Sequence, residues 1–101
     1  MTRVYSSRFC RLVPPATSSL FTVPAGKVAV VRAVDLASPA GTPLAFVVQV
    51  AGCYIVSLAA QPAATTYHWD GRQVAVAGEI VQAICSPAGG WILVSGYLFD
   101  A

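Results

Sequence analysis

The stretch Pro24-Ala25-Gly26-Lys27-Val28-Ala29-Val30-Val31-Arg32-Ala33-Val34-Asp35-Leu36 decides the fold. Proline presets its own φ and glycine accepts the positive φ that closes a tight turn, so Pro24-Ala25-Gly26 reads as a turn. From Lys27 onward the chain is rich in β-branched valine, lacks glycine and proline, and reads as one long strand. Strict alternation puts Val28, Val30, Val34 and Leu36 on one face and Ala29, Val31, Ala33 and Asp35 on the other. Neither face is cleanly polar, so the strand needs cover on both sides. Arg32, mid-strand among valines, is a charge that needs a partner or an interface. The same alternation puts Asp35 on the opposite face, where it is a poor partner.

Outward from this strand, turn signals recur. Ser38 to Pro43 holds two prolines and a glycine and reads as a loop. Leu44–Ala51 and Cys53–Leu58 read as strands, with Gly52 marking a tight hairpin or a bulge. After a loop around Pro62, Thr66–Trp69 is short and aromatic, Asp70-Gly71 signals a hairpin, and Arg72–Val76 follows it. Ala77-Gly78-Glu79 and Ser86 to Gly90 are further turns, separating strands Ile80–Cys85 and Trp91–Phe99. Upstream, Leu20–Val23 is a short strand. Residues 1–19 hold the β-capable runs Val4-Tyr5 and Phe9–Val13, interrupted by Pro14-Pro15, and are expected to form an arm or edge segment. Eight or nine short strands at spacings of roughly 8–12 residues predict an all-β fold. The expected architecture is a two-sheet antiparallel β-sandwich, jelly-roll-like, over residues 20–101, with an extended N-terminal arm over 1–19.

Composition narrows the function. Charged residues are 10% of the 101, against about 25% in an ordinary soluble domain. Hydrophobic residues are 56%, more than one small core can hide. No apolar window of about 18–20 residues is free of charges and breakers, as a spanning helix requires, so no membrane is expected as a partner. The remaining reading is a subunit that buries surface against neighbours. The net charge of +2 is too small for a nucleic-acid footprint, so no nucleic acid is expected either. The odd count of three cysteines, Cys10, Cys53 and Cys85, forms no CxxC or metal spacing. Cys53 and Cys85, inside apolar runs, read as buried reduced thiols.

No catalytic motif is present. His68 is the only histidine, and the chain lacks the ligand set of a zinc site and a nucleophile elbow. It reads as a partly exposed strand residue beside a hairpin. Asp35, Asp70, Glu79 and Asp100 are far apart in sequence, and no carboxylate pair is foreseen. No catalytic, metal or cofactor residue is therefore assigned, and no enzyme is expected. Tyr67, Trp69 and Trp91 fit either a core or a ligand platform. The residues expected at interfaces are Arg3, Arg8, Arg11, Arg32, Tyr67, Trp69 and Trp91.

Leu20-Phe21-Thr22-Val23-Pro24-Ala25-Gly26-Lys27, Trp69-Asp70-Gly71-Arg72, Ala77-Gly78-Glu79 and Val94-Ser95-Gly96-Tyr97-Leu98 appear in that order. Together they resemble small virion proteins of tailed bacteriophages, with Ala77 standing where that pattern carries proline. The resemblance spans residues 20–99 and implies a β-sandwich virion module that marks no catalytic residue. The function it implies is a capsid decoration or minor capsid subunit that self-associates, as a homotrimer or other homo-oligomer, and binds the major capsid protein or other virion subunits. The alternative is a head–tail or tail component, or a carbohydrate- or receptor-binding module of a tail fibre. The implied location is the virion.

Overall fold

The computed structural model describes residues 4–38, 43–61 and 65–101. Eight strands are present: β1 (Val4–Leu12), β2 (Ser18–Thr22), β3 (Lys27–Ser38), β4 (Leu44–Val50), β5 (Cys53–Gln61), β6 (Thr65–Val76), β7 (Ile80–Ser86) and β8 (Trp91–Asp100). They form two four-stranded antiparallel sheets, ordered β1-β8-β3-β6 (sheet A) and β2-β7-β4-β5 (sheet B). First pairs with last, second with seventh, third with sixth and fourth with fifth. That nesting is the jelly-roll arrangement, in which a folded ribbon wraps over one core.

The core lies between the sheets. Sheet A contributes Leu12, Val31, Val34, Ile92 and Val94, and sheet B contributes Phe46, Val48, Val81 and Cys85, all almost wholly buried. Each fully buried valine or larger side chain stabilises the fold by about 1.5–3 kcal/mol relative to exposure. The accessible surface is 5436 Å², which matches the ~5,400 Å² expected for a folded monomer of this mass. The surplus of apolar residues therefore sits on the outer faces and not in an enlarged core.

The N-terminal segment was expected as an arm or edge segment, and its first strand takes the edge position. β1 is an edge strand of sheet A, and it buries Phe9, Cys10 and Leu12. The Phe9 ring packs on Phe21 of β2 at 5.1 Å between centroids, and the Cys10 thiol donates toward the Val81 carbonyl at 3.4 Å. These contacts tie β1 to the core.

The hairpin expected at Asp70-Gly71 is absent: β6 runs straight through it as one strand of 12 residues. Gly71 serves a different need. A Cβ there would stand 2.6 Å from the Trp69 indole, so glycine leaves room for the ring to fold back over the strand. The tight hairpin is instead Ala51-Gly52, joining β4 to β5 with Val50 opposite Cys53. Both turn residues have positive φ, 52° and 79°, the type I′ geometry whose twist suits a two-residue connection. Cys53, expected to be buried, is exposed because it lies beside this turn.

The alternation in β3 also breaks. Buried positions run Ala29, Val31 and then Val34, Leu36, Ser38. The parity changes because Arg32 is an extra residue relative to β8, where Val31 faces Gly96 and Ala33 faces Ser95. Phe9 is the extra residue of β1 against β8, and β6 inserts one more against β3, between Asp70 and Gln73. The bulges line up across sheet A. β8 fits among them because Gly96 has no side chain: a Cβ there would collide with the Val30 carbonyl oxygen.

Glycine substitutions separate these roles. Gly96→Ala, blocked by backbone, should cost about 3 kcal/mol or more. Gly26→Ala, in open space at φ 76°, should cost only about 1 kcal/mol of left-handed strain. Ala51→Asn should stabilise by about 0.5–1 kcal/mol, since asparagine tolerates the left-handed region better than alanine. Chemical denaturation of the three variants checks the order; equal losses at Gly96 and Gly26 would remove the steric account of the bulge line.

Candidate functional site

The strands partition the charges. Sheet B contains no Asp, Glu, Lys, Arg or His in any of its strands. Its outer face is built in cross-strand rows. Ser18, Ile84, Val47 and Ser57 form one row, and Leu20, Gln82, Gln49 and Tyr54 form the next. Leu20 is 58% exposed, Tyr54 67% and Ile80 41%. A solvated sheet face ordinarily reads polar; this one is apolar with uncharged polar residues between, the composition of an interface core.

Sheet A carries the charges. Pairing of β3 with β6 sets Asp35 directly opposite His68. Asp35 Oδ1 lies 2.5 Å from His68 Nδ1, and Asp70 Oδ2 lies 3.4 Å from His68 Nε2. Sequence distance concealed this pair of carboxylates, which the β3–β6 ladder brings to one imidazole. The hydrogen bond to Asp35, backed by the charges of both carboxylates, raises the His68 pKa above its ordinary value. With both nitrogens facing carboxylates, the ring is arranged as an imidazolium held by acceptors and not as a base free to activate a hydroxyl. Among the described residues no group of three potential ligands is placed to hold a metal ion.

The expected interface residues scatter. Arg3 lies outside the described residues. Arg8 and Arg11 are exposed on β1, and Arg32 is half-buried at the β3 bulge. The bulge places Arg32 and Asp35 on the same outer face, correcting the opposite-face assignment; Asp35 nevertheless takes His68 as its partner. Arg8 and Arg32 meet in a groove of about 420 Å³ with Ser6, Ser95 and Tyr97. Arg72, which the sequence reading passed over as part of a hairpin, joins Arg32 and Tyr97 in an adjoining groove of about 450 Å³. Arg8, Arg11 and Trp91 line a third, of about 330 Å³.

The three aromatic candidates do not meet. Trp69 pairs in register with buried Val34, and Tyr67 with buried Leu36, so both look toward the core side. Trp91 pairs with Ala37 and stands on the outer face, 44% exposed. The shared aromatic platform is therefore divided between opposite sides of sheet A.

Of the cysteines, burial pushes the Cys10 and Cys85 thiols up, which keeps them protonated as weak donors to backbone carbonyls. Cys53 alone is exposed. A thiol-specific chromogenic reagent should thus react with one cysteine per native chain and with all three after unfolding. For His68 the sign is set by the raised folded-state pKa. Its contribution to stability is fully present below the unfolded value of about 6.5 and fades as pH rises through the folded value. An NMR titration should place the His68 midpoint above that reference, and Asp35→Asn should bring it down; an unchanged midpoint would show that the pair does not form in solution.

Neither a family model nor a curated protein matches this sequence. Solved structures do match in shape. The core of the Drosophila protein NLP, described as giving insight into pentamer formation and histone binding, is similar with a TM-score of 0.57 and 16% identity, covering 94% of this chain and 96% of that one. A chain of infectious bursal disease virus, Gx strain, matches with a TM-score of 0.36 and 12% identity over 98% of this chain and 31% of its own length. The Gt strain gives 0.31 and 11%, over 98% and 30%. At these identities the first likeness establishes a shared fold alone.

Proposed function

We propose that this protein is a structural subunit that self-associates through the outer face of sheet B. The observation that carries this reading is the charge-free sheet, with Leu20, Tyr54 and Ile80 turned to solvent. Removing such a face from water stabilises an assembly by roughly 25 cal/mol per Å² of apolar area, with no charged group to desolvate. The similar NLP core is described by its pentamer formation, and a jelly-roll that assembles side by side is consistent with that precedent.

The setting we favour is the virion of a tailed phage, with the chain as a decoration or minor capsid subunit bound to the shell. The ordered turn motifs shared with small virion proteins support this setting, and so does the low charge. The role is mechanical and not catalytic: His68, the one histidine, is engaged by carboxylates on an open face. The separation of Trp91 from Tyr67 and Trp69 weighs against a glycan platform.

Light scattering coupled to size exclusion checks the assembly. The wild-type chain should elute at a multiple of its monomer mass at micromolar concentration. Ile84→Lys and Leu20→Glu, each placing a charge on sheet B's outer face, should shift it to monomer with an unchanged far-ultraviolet dichroism spectrum. Cosedimentation with phage shells lacking the protein tests the setting. A wild-type monomer at all concentrations would end the self-association reading; an oligomer that ignores shells would end the virion reading alone.

A further inference from the structure

We propose that the outer face of sheet A is a docking groove for an acidic, partly apolar polypeptide segment from a different protein, gripped by Arg8, Arg32 and Arg72. This goes beyond self-association and does not rest on it, because the groove and the charge-free face belong to opposite sheets.

The groove is made by the bulge line. The register steps in β1, β3 and β6 fall side by side, and they bring one arginine from each strand toward two adjoining depressions. The two, about 420 and 450 Å³, share Arg32 and Tyr97. Ser6 and Ser95 supply hydroxyls in the first, and the Tyr97–Phe99 edge-on pair forms an apolar flank in the second.

The arginines stand outside the ion pairs, and Asp35, which lines the third groove with Arg8, is turned to His68. Among the described residues the ion pairs are Lys27–Asp100, Asp35–His68 and Asp70–His68; no arginine takes part. Guanidinium groups match carboxylates through paired hydrogen bonds, and a half-buried one such as Arg32 gains most from such a partner.

This chain's own carboxylates are poor candidates for the missing counter-charge. All four acidic side chains of this sequence are already engaged: Asp35 and Asp70 with His68, Asp100 with Lys27, and Glu79 with the Val76 amide. Nor does the face suit a polyphosphate. A phosphate chain presents no apolar group to the Tyr97–Phe99 flank. An extended peptide alternating acidic and apolar side chains fits both the arginines and the aromatic flank.

Fluorescence anisotropy tests this with the intact protein. The probes are a fluorescein-labelled peptide of alternating glutamate and leucine, its lysine–leucine counterpart, and a labelled oligothymidylate. The acidic peptide should bind saturably and weaken with added salt, and the lysine peptide should not bind. Arg32→Gln should weaken binding about tenfold, and Arg8→Gln and Arg72→Gln, both at exposed positions, should each weaken it measurably while retaining the wild-type dichroism spectrum. Ile84→Lys should keep peptide binding while losing self-association, which separates this proposal from the previous one. Absent binding, equal binding by wild type and the R8Q/R32Q/R72Q variant, or tighter binding of the oligothymidylate would each overturn it.

Discussion

A register step crossing sheet A is the constraint on which the rest of this structure depends. β1, β3 and β6 each hold one residue more than their neighbour's ladder accommodates, and the steps lie side by side. An extra residue reverses the pleat, so whatever follows it turns to the other side. In β3 this moves Val34, Leu36 and Ser38 into the core after Ala29 and Val31. It also sends Arg32 and Asp35 outward together. β8, the strand that does not step, meets the bulge with Gly96, the one residue type that lets the Val30 carbonyl come so near.

Charge segregation follows from the topology that surrounds this line. The nested pairing places β1, β3, β6 and β8 in one sheet, and these strands hold every charged strand residue. Sheet B is left with valine, isoleucine, leucine, glutamine and serine facing out. The two exteriors are therefore chemically different surfaces: one is driven from water by area, and the other is selective through charge. Such a separation is the feature on which both proposals above rest.

The turn motifs of the sequence acquire physical meaning here. Gly26 closes the turn into β3, with Lys27 N–H donating to the Pro24 carbonyl. Gly71 clears space for the Trp69 indole, and Gly96 admits the bulge. Glu79 returns its carboxylate to the Val76 amide while its own N–H donates to the Val76 carbonyl, closing the turn between β6 and β7. Each is a demand of backbone geometry. That is why such motifs identify an architecture while leaving chemistry open.

Valine-rich runs bounded by proline and glycine were sufficient to place most strands, because β-propensity and turn chemistry act over a few residues. Low charge was sufficient to indicate exposed apolar surface, which Leu20, Tyr54 and Ile80 bear out. Local rules failed where a distant strand intervened. Asp70-Gly71 has the composition of a hairpin, yet β3 lies alongside β6 for its full length and keeps it one strand, bulged at that point. Asp35 and His68, 33 positions apart, became a pair only through that ladder. Arg8, Arg32 and Arg72 came to line adjoining grooves only because their bulges coincide. Composition and local propensity are properties of the chain; which charges meet, and which face they share, is set by register, and register is decided between strands.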